Sequence, residues 1–171
     1  MTPTLPPPRE PGRYRIGVVC LGNICRSPMA DVVLQERLAD AGLDDRVEVD
    51  SCGTGGWHLG DPMDHRAAAT LAAAGYDPSR HRARQYDATW RASYDLLLAM
   101  DEQNLADVGG RDGDVDEGRV RLFRDFDPVQ PGAEVPDPYY GGPAGFEEVL
   151  RMVERTATEI VAQVGQELAR P

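Results

Sequence analysis

At 171 residues the chain is long enough for one compact domain with a single core and short for two. Its formal charge of −11, from 18 basic against 29 acidic residues, disfavours nucleic acid and anionic membrane as partners, because both call for a positive footprint. Three cysteines, at 20, 25 and 52, are not the even framework of a secreted disulfide scaffold and point to a reducing cytoplasm. All the basic residues are arginines, so a single Arg carries little information by its type alone.

Residues 1–13 (MTPTLPPPREPGR) have neither the apolar run of a signal peptide nor that of a membrane anchor, and their prolines predict a disordered tail ahead of a single domain over 14–171. The β-branched run in Tyr14–Cys20 predicts a buried strand that ends in Leu21-Gly22-Asn23, a turn. Ser27-Pro28 reads as N-cap and first position of a helix whose stripe (Met29, Val32, Val33, Leu38) closes near Gly42. Val47 and Val49 mark a second strand, Gly53–Pro62 a loop, and His65–Ala74 a helix stopped at Gly75. Tyr94–Met100 predicts a central strand, Glu102–Val108 a short helix, Arg119–Phe123 a further strand, and Arg111–Gly118 an Asp-rich connection. Phe146–Leu168 carries a long amphipathic stripe. Strands separated by helices predict a parallel sheet covered on both faces, with a ligand bound beyond the carboxyl ends of the strands, where Cys20 lies.

The segment Cys20-Leu21-Gly22-Asn23-Ile24-Cys25-Arg26-Ser27 leaves a strand and enters a helix, so its backbone N–H groups can converge on one anion at the positive end of that helix. Gly22 and Asn23 are residue types that tolerate the positive φ such a loop needs. A thiol at its head feels the inward dipoles and Arg26, which favour the thiolate, and the Arg26 fork suits two oxygens of a phosphoryl group. Cys20 is therefore the candidate nucleophile for phosphate monoester hydrolysis. No His/Asp/Glu cluster at ligand spacing predicts a metal, and no cofactor is expected.

The string CLGNICRS resembles the signature loop of the low-molecular-weight protein tyrosine phosphatases, and DPYYGG at Asp137–Gly142 resembles their acid-loop motif. DSCGTGGWHLG and LLLAMDEQN are also similar, so the likeness runs from about Arg15 to the last helix. It implies a doubly wound four-stranded parallel sheet, with the phosphate-binding loop between first strand and first helix. It implies hydrolysis of phosphotyrosine in protein substrates through a phosphocysteine. In that scheme Arg26 binds the phosphoryl group and Asp137 is general acid and base. Spacing alone does not single out Asp137, because Asp61-Pro62, Asp77-Pro78 and Asp127-Pro128 are similar dipeptides.

The resemblance also implies that Leu21, Trp57, Tyr139 and Tyr140 wall the substrate cleft, that Gly22, Ile24 and Cys25 complete the anion loop, and that Asn23, Ser27, Ser51 and His81 support it. Relatives acting on phosphoarginine tend to have Thr where this chain has Ile24, and lack the paired tyrosines. Cys25 is either a small buried apolar residue or a resolving partner for an oxidised Cys20. His58 and His65 are expected to be structural or exposed. Weak self-association through the aromatic rim is left open. The competing readings are an arsenate reductase, which relays a disulfide through later cysteines, and a silent phosphotyrosine-binding module, which needs a damaged nucleophile, Arg or acid.

Overall fold

The computed structural model describes residues 3–109 and 118–171. The expected Asp-rich connection lies, over 111–117, outside the described residues. Strands β1 (Tyr14–Cys20), β2 (Val47–Gly53), β3 (Leu96–Ala99) and β4 (Val120–Leu122) form one sheet in the order β2-β1-β3-β4, every pair parallel. Helices α1 (Arg26–Asp40), α2 (His65–Ala73), α3 (Thr89–Ser93), α4 (Glu102–Asp107) and α5 (Pro143–Leu168) join and cover the strands, with a 3-10 turn at Phe123–Phe126. This is the doubly wound arrangement the sequence predicts.

Alternate side chains of β1, β2 and β3 enter two cores. Ile16 and Val18 of β1, Val47 and Val49 of β2, and Leu96 and Leu98 of β3 pack with α1, α2 and the stripe of α5 from Phe146 to Val164. Val19, Cys52 and Leu97 face the other way, against Trp90 of α3, Tyr94 and Val108. Each fully buried aliphatic or Phe side chain contributes about 1.5–3 kcal/mol. Gly17 belongs to the second face: a Cβ there would lie 2.6 Å from Leu97 and 3.1 Å from Trp90, so its absence lets the indole lie on the sheet.

Two expectations are corrected at the ends of the first strand. Residues 3–13 are not a free tail. Leu5 is buried in the main core, the Tyr14 hydroxyl donates to the Pro6 carbonyl at 2.9 Å, and Arg9 donates to the carbonyls of Tyr94 (3.1 Å) and Arg91 (3.0 Å). Buried Asp95 accepts from the N–H groups of both Arg9 and Arg15 at 2.7 Å, joining the segment to the amino ends of β1 and β3. Prolines already restrict this segment, so docking it loses little chain entropy. At the other end, α1 begins at Arg26 with Cys25 at the N-cap, and Ser27 is inside the first turn rather than capping it. Its hydroxyl is thereby free for the loop.

Smaller differences are local. The last strand is only Val120–Leu122, because Phe123 starts the 3-10 turn, and α5 starts three residues early at Pro143, a first-position proline. Helix α3 is too short for a hydrophobic period to announce it. Among the described residues no helix is long and apolar enough to cross a membrane.

Candidate active site

The loop after β1 sits at the carboxyl end of the sheet, where the chain crosses from β1 to β2 on one side and β3 lies on the other. Such a switch point is where doubly wound folds bind ligands. Most of the loop's carbonyls point outward and are taken: Thr54 N–H donates to Cys20 O and Gly55 N–H to Leu21 O, both at 2.9 Å, while Asp64 N–H donates to Ile24 O at 2.9 Å. The Asn23 carbonyl accepts from His81 Nε2 at 2.6 Å. In a trans peptide the next N–H opposes the carbonyl, so the amides of Leu21, Gly22, Ile24 and Cys25 face the interior of the loop. With the start of α1 beside them, these donors can converge on one anion.

Asn23 makes the turn possible, with φ at 59°, the left-handed region that Asn tolerates. Its N–H lies 3.3 Å from Cys20 Sγ. Its carboxamide is enclosed behind the loop, where Nδ2 donates to Ser27 Oγ (2.9 Å) and Ser51 Oγ (3.0 Å) while Oδ1 accepts from Arg84 N–H (2.9 Å). Ser27 Oγ, occupied as an acceptor, keeps one proton, and Cys20 Sγ lies 2.9 Å away. Burial lowers the His81 pKa, as do Arg84 and Arg82, against the hydrogen bond to Asn23 that raises it. The neutral ring donates through Nε2. Gly53 completes the seat: a Cβ there would lie 2.7 Å from Leu21 O and 3.0 Å from Asn23 N, too close for the loop to rest on the end of β2. Asn23 and Ser27 thus present no side chain to the pocket; they hold the loop from behind.

Arg26 is almost wholly buried at the head of α1. Its Nη1 donates to Asp101 Oδ2 at 2.7 Å and to the Val135 carbonyl at 3.1 Å, and its Nη2 lies 3.7 Å from Asp137 Oδ2. Burial opposes its charge, yet Cys20, Asp101 and Asp137 together hold its pKa above the usual arginine value. Nothing in the sequence singles out Asp101, because a carboxylate between a strand and a helix has the pattern of a helix cap. It is that too, accepting from Asn104 N–H at 2.8 Å through its other oxygen.

A pocket of about 300 Å³ is lined by Leu21, Gly22, Ile24, Cys25, Arg26, Trp57, His58, Asp137, Tyr139 and Tyr140. Tyr139 and Tyr140 meet edge to face, 5.0 Å between centroids, and Arg66 lies over the Tyr139 ring at 5.3 Å. His58, expected to be structural or exposed, is partly exposed at the pocket mouth beside Gly22, with Nδ1 3.4 Å from Asp61, and His65 is exposed at the start of α2. A larger groove of about 1220 Å³ follows β2 and α1; Ser51 and His81 line it, but Cys20, Arg26 and Asp137 do not. Cys25 and Cys52 are buried and burial pushes both thiols up, which keeps them protonated.

A parallel α/β sheet with a cysteine-headed loop at its switch point, an arginine at the end of that loop and a carboxylate 3.7 Å from the arginine is the arrangement that the resemblance implies for a cysteine-loop phosphatase. Residues 15–170 match the family described as low molecular weight phosphotyrosine protein phosphatase. A low molecular weight protein-tyrosine-phosphatase of Streptomyces coelicolor is 47% identical over 158 residues, covering 91% of this chain and 96% of that one. Among solved structures, a protein tyrosine phosphatase of Entamoeba histolytica with Hepes in its active site superposes with a TM-score of 0.83 at 29% identity, covering 90% and 97% of the two chains. YfkJ of Bacillus subtilis does so with a TM-score of 0.83 at 32% identity, covering 91% and 96%. The chain belongs to the low molecular weight protein-tyrosine-phosphatase family and is a hydrolase of that kind.

Proposed function

We propose that the chain hydrolyses phosphotyrosine in proteins in two steps, with Cys20 as nucleophile, Arg26 as phosphoryl ligand and Asp137 as general acid and then base. The observation that carries this reading is the outward turn of the loop carbonyls, which leaves the inward N–H groups and Arg26 as donors around one phosphoryl position. The Cys20 thiolate attacks phosphorus while the bond to the tyrosyl oxygen breaks, and Asp137 gives that oxygen its proton. A phenolate leaving group, with conjugate-acid pKa ~10, needs the donor. Water then attacks the phosphocysteine, Asp137 takes its proton, and the sulfur–phosphorus bond returns its electrons to Cys20. As charge spreads over the phosphoryl oxygens, the fixed N–H donors and guanidinium stabilise it without rearranging.

Aromatic walls favour a phosphotyrosine ring over a short phosphoserine, and Ile24 with the Tyr139-Tyr140 pair argues against phosphoarginine. Three unpaired thiols suit a reducing compartment. Cys20→Ser should abolish release of phosphate from phosphotyrosine peptides while retaining them for pull-down. Asp137→Asn should lower kcat/KM on phosphotyrosine about 10²–10³-fold and much less on p-nitrophenyl phosphate, whose leaving group needs no proton. Equal losses on both substrates would undo the acid assignment, and wild-type protein inert toward both would sink the whole reading.

A further inference from the structure

Between the 3-10 turn and Asp137 the chain is held from inside by a buried ion cluster that the chemistry above does not use. Asp127 is fully buried; its Oδ1 accepts from Val129 N–H and Arg155 Nε, and its Oδ2 from Arg155 Nη2 and Arg124 Nε, all at 2.9 Å. Arg124 is only 3% exposed. Its remaining donors reach forward along the chain, Nη1 to the Glu134 carbonyl at 2.6 Å and Nη2 to Gln130 Oε1 at 3.2 Å. The Glu134 carboxylate accepts from Glu102 N–H at 2.8 Å. Val135 follows, with its N–H on Met100 O at 2.7 Å and its carbonyl on Arg26.

Arg124 therefore fills the inside of the 127–134 turn and fixes the peptide from which Pro136, Asp137 and Pro138 project. A buried ion cluster of this kind is expensive to desolvate, and an apolar plug would fill the same volume without that cost. An apolar plug has no donor for the Glu134 carbonyl, however, and sets no direction for the residues beyond it.

We propose that Arg124, oriented by Asp127 and Arg155, is a positioning residue that sets Asp137 against the leaving oxygen. The inference rests on Asp137 being the proton donor. Misplacing a reacting group by about 1 Å costs on the order of 10²-fold, and here the cost scales with how much the leaving group needs its proton.

The test is kcat/KM for wild type, Arg124→Gln and Arg155→Gln over aryl phosphates whose leaving groups run from p-nitrophenol to a tyrosyl peptide, with thermal melts alongside. Arg124→Gln should lose about 10-fold or more on the phosphotyrosine peptide and stay within about 3-fold on p-nitrophenyl phosphate. Arg155→Gln should tilt the series the same way by less, because Arg124 still reaches Asp127. A folded Arg124→Gln whose loss is uniform across the series, or absent, overturns the proposal. Should that variant not fold, Arg155→Gln decides alone, its side chain being 32% exposed, and a flat series in it is equally fatal. Failure of the catalytic reading itself looks different: wild type then releases phosphate from no member of the series.

Discussion

Behind the Cys20 loop, Asn23 and Ser27 are 0% exposed and Ser51 is 2% exposed; in front of it, Trp57 is 72% and Tyr140 93% exposed. The rear is polar and its side chains are buried, each bonded to the next, while the front is aromatic and open. An enclosed hydrogen-bond network tolerates one arrangement, since any member left unpaired costs about 1–3 kcal/mol. Exposed rings can shift at little cost. The contrast separates what must stay fixed for chemistry from what can adapt to different protein substrates.

Asn23→Gly should test the rear most severely. Glycine keeps the positive φ at little cost, so the substitution isolates the carboxamide that joins Ser27, Ser51 and the Arg84 N–H. We expect kcat to fall about 10–100-fold, by the same factor on phosphotyrosine peptides and p-nitrophenyl phosphate, with slower alkylation of Cys20 by iodoacetate. A loss confined to peptides would mean that the rear acts on recognition, and the division would collapse.

How much of this could be read in advance follows the same line. The loop is legible because its parts are consecutive: a β-branched strand, Gly22-Asn23, and Pro28 in the first turn of a helix. The rear network was not readable from spacing, since Asn23, Ser51 and His81 meet only because β2 and the segment after α2 return to the same end of the sheet; the resemblance alone suggested them. Asp101 was hidden by its second role as a cap. In the N-terminal segment, proline content reports extension and says nothing of docking through Leu5 and Arg9. Helix α5, with a stripe repeated over many turns, needed no tertiary information.

At the front, Tyr140→Ala should raise KM for phosphotyrosine peptides about 3- to 10-fold with kcat nearly constant, and leave p-nitrophenyl phosphate unaffected, because a rim contact binds ground and transition states alike. If kcat fell instead, on both substrates, the ring would belong with the fixed machinery and the aromatic front would need redrawing.

The last expected effect falls on stability and not on turnover, and comes from Asp31, which lines the groove behind the loop with Ser51 and His81. Burial, reinforced by Asp50, raises its pKa from 3.8 to about 6, against hydrogen bonds from Gln35 and Ser51 that lower it. The native state therefore prefers the neutral carboxyl. That contribution is complete below pH ~4 and is lost as pH rises through about 6, the folded value. Asn mimics the neutral form. Asp31→Asn should leave stability to urea unchanged at pH 4 and raise it by about 1–2 kcal/mol at pH 8, a figure reduced for the partial exposure of the side chain. A gain of equal size at both pH values would show that charge is not what the rear wall resists there, and a loss at pH 8 would mean that Asp31 serves the network as an ionised acceptor for the Ser51 hydroxyl.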